Sequence, residues 1–368
     1  MKRVVLAGAG HAHLYALKRT AAFLSRGIHV TLIAPEAFWY SGLATGMLGG
    51  KYPAEQDQID VAALVAQGGG DVICGRVAAV DPRQKCVRLE SGDSVAYDVL
   101  SLDLGSAPPP IPGAHDRVYA VKPISSLWRL RCDLKNLSAA RAGSPVRIAV
   151  IGGGTSACEI AANLAALGKL AGAAVEISLL TRGLQVLAKA PPRAGVIISQ
   201  VLAAIGVKVV TSAHVRAFEA DAAVTEDERR FGFDLAVNAT GLAPSPVMQS
   251  TGLPVDAHGA LIVDAFLRST GDDFVFGGGD CIAFAGRQLP RLGVYAVREA
   301  PVLFRNLIAA AEGRPLEAYR PQKHALAILN LGDGTGLAIR GGLALRGRMF
   351  EWLKDRIDRK FLAGYRTG

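Results

Sequence analysis

The sequence predicts an α/β fold with two Rossmann-like dinucleotide-binding domains and a small C-terminal α+β tail. Two observations carry this. A β-rich run, a glycine cluster and an Ala/Leu-rich helical stretch follow one another over residues 3–26, and the same succession recurs 144 residues later, from Arg147. In both copies the glycines stand at the turn from strand to helix, and a second strand follows, which is the βαβ pattern. The chain also holds 42 glycines in 368 residues, well above the usual share of about 7%, with no collagen period to explain them.

The elements follow in order. Residues 3–7 form an apolar strand that runs into Gly8 and Gly10, then a helix to about Arg26 and a second strand at 29–33. Residues 72–103 read as a small antiparallel meander, punctuated by Asp81-Pro82 and by the polar stretch 90–94. Residues 107–113 contain four prolines and serve neither helix nor central strand, so they read as a crossover linker. The second unit places a strand at 147–151, Gly152 and Gly154 at the turn, a helix to about Leu167 and a strand at 175–180. A second meander-like series covers 207–211, 214–220 and 233–239. A buried strand at 273–276 ends in Gly277, Gly278, Gly279 and Asp280, and a helix runs from about Val294 to Ala311. Strand-like runs around Gly332-Asp-Gly334 and an amphipathic helix close the chain.

Half of the residues are apolar, which excludes a disordered or fibrous chain and suits two or three domains. The balance of 41 basic and 32 acidic residues, +9, points to an anionic partner: nucleotide, nucleic acid or lipid headgroup. No nucleic-acid motif accompanies the charge. The five cysteines, Cys74, Cys86, Cys132, Cys158 and Cys281, are widely spaced and odd in number, and read as reduced thiols of a cytoplasmic protein. No uncharged run reaches the roughly 18 residues of a membrane span. The apolar N-terminus is cut by Gly8 and Gly10 and closed by Lys18 and Arg19, so it reads as strand and helix rather than as a secretory signal. No metal site is expected: His11 and His13 have no further ligand at recognisable spacing.

A glycine-rich turn after a strand lets backbone N–H groups approach a pyrophosphate at the helix N-terminus. Gly279-Asp280 places a carboxylate at the end of a strand, and residues 97–106 and 237–244 each end a strand at a small-residue turn. At these residues the chain resembles the pyridine nucleotide-disulfide oxidoreductase superfamily, flavoproteins with two dinucleotide-binding domains. The stretches 8–14, 40–42, 100–106, 289–301 and 319–322 are similar to the branch related to type II NADH dehydrogenases and sulfide:quinone oxidoreductases. That branch occurs alone or fused ahead of selenophosphate synthetase, and this chain would be the free-standing form.

The resemblance implies an FAD domain interrupted by an NAD(P) domain: residues 1–112 and 244–320 for FAD, 113–243 for NAD(P), and 321–368 for the tail. It implies that Gly8, Gly10, His11, Ala12, Glu36, Ser41, Val77, Gly105, Gly279 and Asp280 hold FAD. Gly152, Gly154, Thr155, Ser156, Arg182 and Gly241 would hold NAD(P)H, and Glu159, Tyr295 and Arg298 would be catalytic. Departures are visible. His13 replaces the third glycine and implies looser helix–strand packing, and Ala34 stands where an acid commonly binds the adenosine ribose, with Glu36 two residues on. Thr181-Arg182 replaces the acid after the second unit's strand; an arginine there suits a 2′-phosphate, so NADPH stands beside NADH.

The implied activity is an FAD-dependent NAD(P)H oxidoreductase passing electrons to a quinone-type acceptor. The alternatives are a soluble NAD(P)H-dependent reductase of a sulfur or selenium compound and an FAD-binding redox sensor. The helix beginning near Val294 is expected to aim its N-terminus at the flavin, and a quinone site is expected near residues 295–299, although Arg298-Glu299 occupies the place of the glutamines of type II dehydrogenases. No Cys-x-x-Cys pair exists, so no dithiol relay is expected. The closing helix carries Met349, Trp352, Leu353, Ile357 and Phe361 at helical spacing among Lys354, Arg356, Arg359 and Lys360. Because type II dehydrogenases use their C-terminal region for membrane docking, the resemblance favours the inner face of a membrane over packing on the chain's own domain or on a homodimer partner.

Overall fold

The computed structural model describes residues 1–366 apart from Glu36, Ala142 and Gln288. Two five-stranded parallel sheets organise the chain. The first runs, in spatial order, Val275–Gly277, Val99–Leu102, Lys2–Ala7, Ile28–Ala34 and Asp71–Cys74. The second runs Val118–Ala120, Leu235–Asn238, Val146–Ile151, Val175–Leu180 and Lys208–Val210. Both central strands end in buried apolar runs, Val4–Ala7 and Ile148–Ile151, because a parallel sheet is covered on both faces. The α/β class and the two Rossmann-like units are those the sequence predicts.

The meanders need correction. Only Val77–Asp81, Cys86–Leu89 and Ser94–Ala96 form the first antiparallel sheet, and Val215–Phe218, Ala222–Thr225 and Arg230–Gly232 the second. The runs at either end, Asp71–Cys74 and Val99–Leu102, and likewise Lys208–Val210 and Leu235–Asn238, belong to the parallel sheets. Their apolar stretches are too short for periodicity to reveal a distant parallel partner. Phe274 is exposed, so the returning strand is shorter than expected. Where the chain passes between sheets, Ser106–Ala107 pairs antiparallel with Ala243–Pro244, tying the outgoing and returning connections together.

The tail is a three-stranded antiparallel sheet, Ala327–Asn330, Gly336–Arg340 and Leu343–Gly347, followed by the helix Arg348–Ala363. The third strand was not expected, since Leu343 and Leu345 alternate outward around the buried Ala344 with no apolar partner. The helix is inverted relative to an ordinary surface helix. Its inward face is polar: Tyr40 Oη donates to Asp358 Oδ1 at 2.8 Å, Tyr52 Oη donates to Asp355 Oδ1 at 2.6 Å, and Lys354 donates to Asp358 and to the Gly42 carbonyl. Met349, Trp352 and Ile357 point outward. Phe361 does not join them; it stacks on Tyr40 with ring centroids 4.7 Å apart.

Candidate functional site

Each sheet presents its glycine turn at the carboxyl edge of its central strand. Gly8 has φ +90°, and a Cβ there would stand 2.2 Å from the Asp103 carbonyl oxygen. Gly152 repeats the construction, with φ +133° and the Ala239 carbonyl oxygen at 2.2 Å. In both, the adjacent parallel strand leaves its own carboxyl edge directly against the turn, so only glycine fits.

The first turn leads into the helix His11–Leu17, whose N-cap Gly10 offers no side chain. The Asp103 carboxylate fills that place: Oδ2 accepts from Ala12 N at 2.8 Å and His13 N at 3.2 Å, and a Cβ on Gly10 would meet Oδ1 at 2.2 Å. His13 corrects the expectation of loose packing. It is fully buried, with ring nitrogens 2.6 Å from the Gly8 carbonyl and 2.8 Å from Ser101 Oγ, and it cross-links the turn to the neighbouring strand. Burial lowers its pKa to about 4, so the ring is neutral.

Asp280 lies across the cleft on the Gly279–Cys281 turn, accepting from Lys122 Nζ at 2.6 Å and Ser106 Oγ at 2.7 Å. Burial opposes its ionisation, yet Lys122 and Ser106 hold its pKa below the ordinary carboxylate value. Glu299, on the helix Gly293–Glu312, is buried and accepts from Gly279 N at 2.7 Å; burial pushes its pKa to about 8. The N-terminus of that helix faces Ser41 and His11, which lie 3.7 and 3.8 Å from where a Gly293 Cβ would stand. Burial and the Lys122 charge lower the His11 pKa to about 4. Gly105, with φ +68°, leaves open space beside the cleft, and Val77 is buried at the start of the first meander. Glu36 lies outside the described residues.

The second turn is more open. Around Gly154 and Gly241 no atom comes within 4 Å of a Cβ, and the helix Thr155–Ala171 has no side-chain cap, leaving its Thr155 and Ser156 end bare. Arg182 is exposed just beyond the strand Val175–Leu180. Glu159, one turn into the helix, is where three parts of the chain meet. Its Oε1 accepts from Asn330 N of the tail at 2.7 Å and from Thr45 Oγ1 of the helix Ala44–Leu48 at 3.3 Å. Burial raises its pKa, opposed by Lys354.

Of the three side chains expected to be catalytic, Glu159 is at this junction, Tyr295 is buried on the helix that carries Glu299, and Arg298 sits on the exposed side of that helix. Sequence reading missed Asp103, Lys122 and Glu299. Asp103 leaves no local signal, because its place beside the turn is set by the register of a distant parallel strand. The two glycine-lined turns, each at a parallel sheet's carboxyl edge, the first capped by Asp103 and the second bare, fit a pair of dinucleotides.

The family model for pyridine nucleotide-disulphide oxidoreductases matches residues 2–300. The demethylphylloquinone reductase NdbB of Synechocystis is 29% identical over 307 residues, covering 79% of this chain and 75% of that one. The NADH dehydrogenase-like protein YutJ of Bacillus subtilis is 24% identical over 364 residues, covering 96% and 97%. Among solved structures, the sulfide:quinone oxidoreductase of Aquifex aeolicus superposes with a TM-score of 0.82 at 18% identity, over 100% of this chain and 92% of that one, which speaks for the fold. With a family match spanning both glycine turns and the Gly-Asp turn, the chain belongs to the pyridine nucleotide-disulphide oxidoreductase family and is an FAD-dependent NAD(P)H oxidoreductase.

Proposed function

We propose that this protein transfers hydride from NAD(P)H to FAD and passes the electrons on to a quinone-type acceptor. The observation that supports the reading is the junction at Glu159, where the helix that follows the second glycine turn is hydrogen-bonded to the helix after the first unit and to the tail. Similarity to a demethylphylloquinone reductase supports the acceptor class. FAD supplies the two-electron carrier. The chain's part is to bind and orient: the turns at Gly8, Gly10, His11 and Ala12 and at Gly279 and Asp280 hold FAD, and those at Gly152, Gly154, Thr155, Ser156 and Gly241 hold the nicotinamide cofactor. Arg182 meets a 2′-phosphate. The Gly293 helix end, beside Ser41, would stabilise negative charge on a flavin bound there.

A thiol route to sulfur or selenium compounds is disfavoured, because Cys158 is buried and burial pushes its thiol to about 12. The tail gives the reaction its location. Met349 and Trp352 are 65% and 57% exposed beside Leu343 and Leu345, with Arg348, Arg356 and Lys360 around them, a surface suited to lie in the interface of an anionic leaflet. Among the described residues no helix is long and apolar enough to cross a membrane.

Anaerobic mixing tests the function. NADH or NADPH should bleach the flavin absorbance, and a short-chain quinone should restore it. Bleaching without restoration by quinone overturns the acceptor class, and no bleaching by either nucleotide overturns the donor.

A further inference from the structure

The first cleft already holds an excess of acid. Asp103, Asp280 and Glu299 converge on Gly279: Asp103 Oδ1 lies 2.6 Å from where its Cβ would be, Glu299 takes its N–H, and Asp280 is the next residue. Asp103 and Glu299 are 3% and 2% exposed. Two cations reach the group. Lys122 is committed to Asp280, and Arg291 donates to the main-chain carbonyls of Asp280 and Leu242. FAD adds a diphosphate at the same helix end. Three carboxylates and a diphosphate in one water-poor cleft cannot all be ionised against two cations, because like charges at these distances disfavour one another strongly when desolvated.

We propose that Asp103 and Glu299 are neutral carboxylic acids in the FAD complex, so that the protein takes up protons at these two groups when it binds its cofactor. The inference deepens the FAD reading and rests on FAD entering the first cleft. Asp280 stays ionised because Lys122 is its partner. Among the described residues Asp103 and Glu299 have no cationic partner, and burial, outweighing the Ala12, His13 and Gly279 N–H groups that favour the charged forms, brings their pKa values to about 7 and about 8 even before the diphosphate arrives.

The other groups facing the pair do not titrate in competition. His11 and His13, on the fingerprint helix, are lowered to about 4 and remain neutral. Cys281, beside Asp280, and Tyr319, packed near Glu299, are both raised by burial and remain protonated. Arg298 lies on the exposed side of the Glu299 helix, turned away from the pair.

The test is FAD binding without turnover. Deflavinated protein is titrated with FAD between pH 6 and pH 9 and binding is followed by flavin fluorescence. With free-state values of about 7 and 8, obligatory protonation of both groups weakens binding about a thousandfold over that range. Asp103→Asn should leave about a tenfold dependence, Glu299→Gln about a hundredfold, and the double variant almost none. Calorimetry of the wild-type protein at about pH 9 in two buffers of different ionisation enthalpy should show different heats, because both groups are ionised in the free protein at that pH, and this arm needs no variant. Affinity constant within about threefold over the range, with equal heats in the two buffers, overturns the proposal. Failure to bind FAD at any pH would instead overturn the cofactor assignment.

Discussion

Glu159 offers a sharp test of how the two clefts are joined. Its Oε1 takes the Asn330 N–H at 2.7 Å and the Thr45 hydroxyl at 3.3 Å. Glu159→Ala leaves the Asn330 N–H without its acceptor in a part-buried junction, which costs about 1–3 kcal/mol. Truncating the side chain there adds roughly 1 kcal/mol more. At about 2 °C per kcal/mol for a chain this large, the melting temperature should fall by about 4–8 °C. Glu159→Gln keeps the accepting oxygen and should cost under about 1 kcal/mol. Stopped-flow bleaching of the flavin by NADH or NADPH completes the test. The alanine variant should bleach at least about tenfold more slowly, near 1.4 kcal/mol in the barrier, while still binding FAD. The glutamine variant should lose whatever pH dependence the raised Glu159 pKa gives the wild-type rate. An alanine variant with unchanged melting and bleaching would refute the clasp. A glutamine variant with the wild-type pH profile would refute an ionisable group at the junction.

Further outcomes follow from the same geometry. Asp57 is fully buried, neither carboxylate oxygen has a hydrogen-bond partner among the described residues, and burial raises its pKa from 3.8 to about 8 against the Lys354 charge. A raised folded-state pKa means that stability falls as pH climbs from about 4 through about 8. Asp57→Asn should therefore stabilise the protein by on the order of 5–6 kcal/mol at pH 9 and little at pH 4; melting curves with an equal gain at both values would contradict this. Arg182→Ala should raise the KM for NADPH about tenfold and leave NADH unaffected, as expected of a residue that contacts only the 2′-phosphate; equal effects on both nucleotides would remove Arg182 from that role. Replacing Met349 and Trp352 together by Glu should reduce binding to anionic vesicles at least about tenfold, with flavin content unchanged, and undiminished sedimentation with vesicles would count against the lipid surface. These two outward residues are better probes than deletion from Arg346, which would also strip Tyr40 and Tyr52 of their partners.

The parts of this molecule that are local in sequence were legible from it. Strand, glycine turn and helix are contiguous around Gly8 and Gly152, and their chemistry requires that order. Asp103 was hidden because its role depends on register: Leu102 pairs with Ala7, which places residue 103 beside the fingerprint turn. The sequence has no mark for a parallel pairing of strands more than ninety residues apart. Lys122 was hidden for the same reason, meeting Asp280 158 residues away, while Glu299 reaches back 20 residues to the Gly279 N–H across a turn whose geometry the sequence does not specify. Amphipathicity was visible in the C-terminal helix, but not which side faced in. Its polar residues read as solvated until Tyr40 and Tyr52, about three hundred residues upstream, appear as their partners.

The first sheet also has a history in synthesis. Its outer strand, Val275–Gly277, pairs with Val99–Leu102 only after every strand of the second sheet has been made. A nascent chain can complete the second sheet while the first still exposes an unpaired edge at Val99–Leu102, since domains emerge and fold as units. The last turn added to that edge carries Gly279 and Asp280. Cofactor capture is therefore a late event in the life of the chain, and an unfinished protein displays a sticky strand edge, which is a hazard for aggregation.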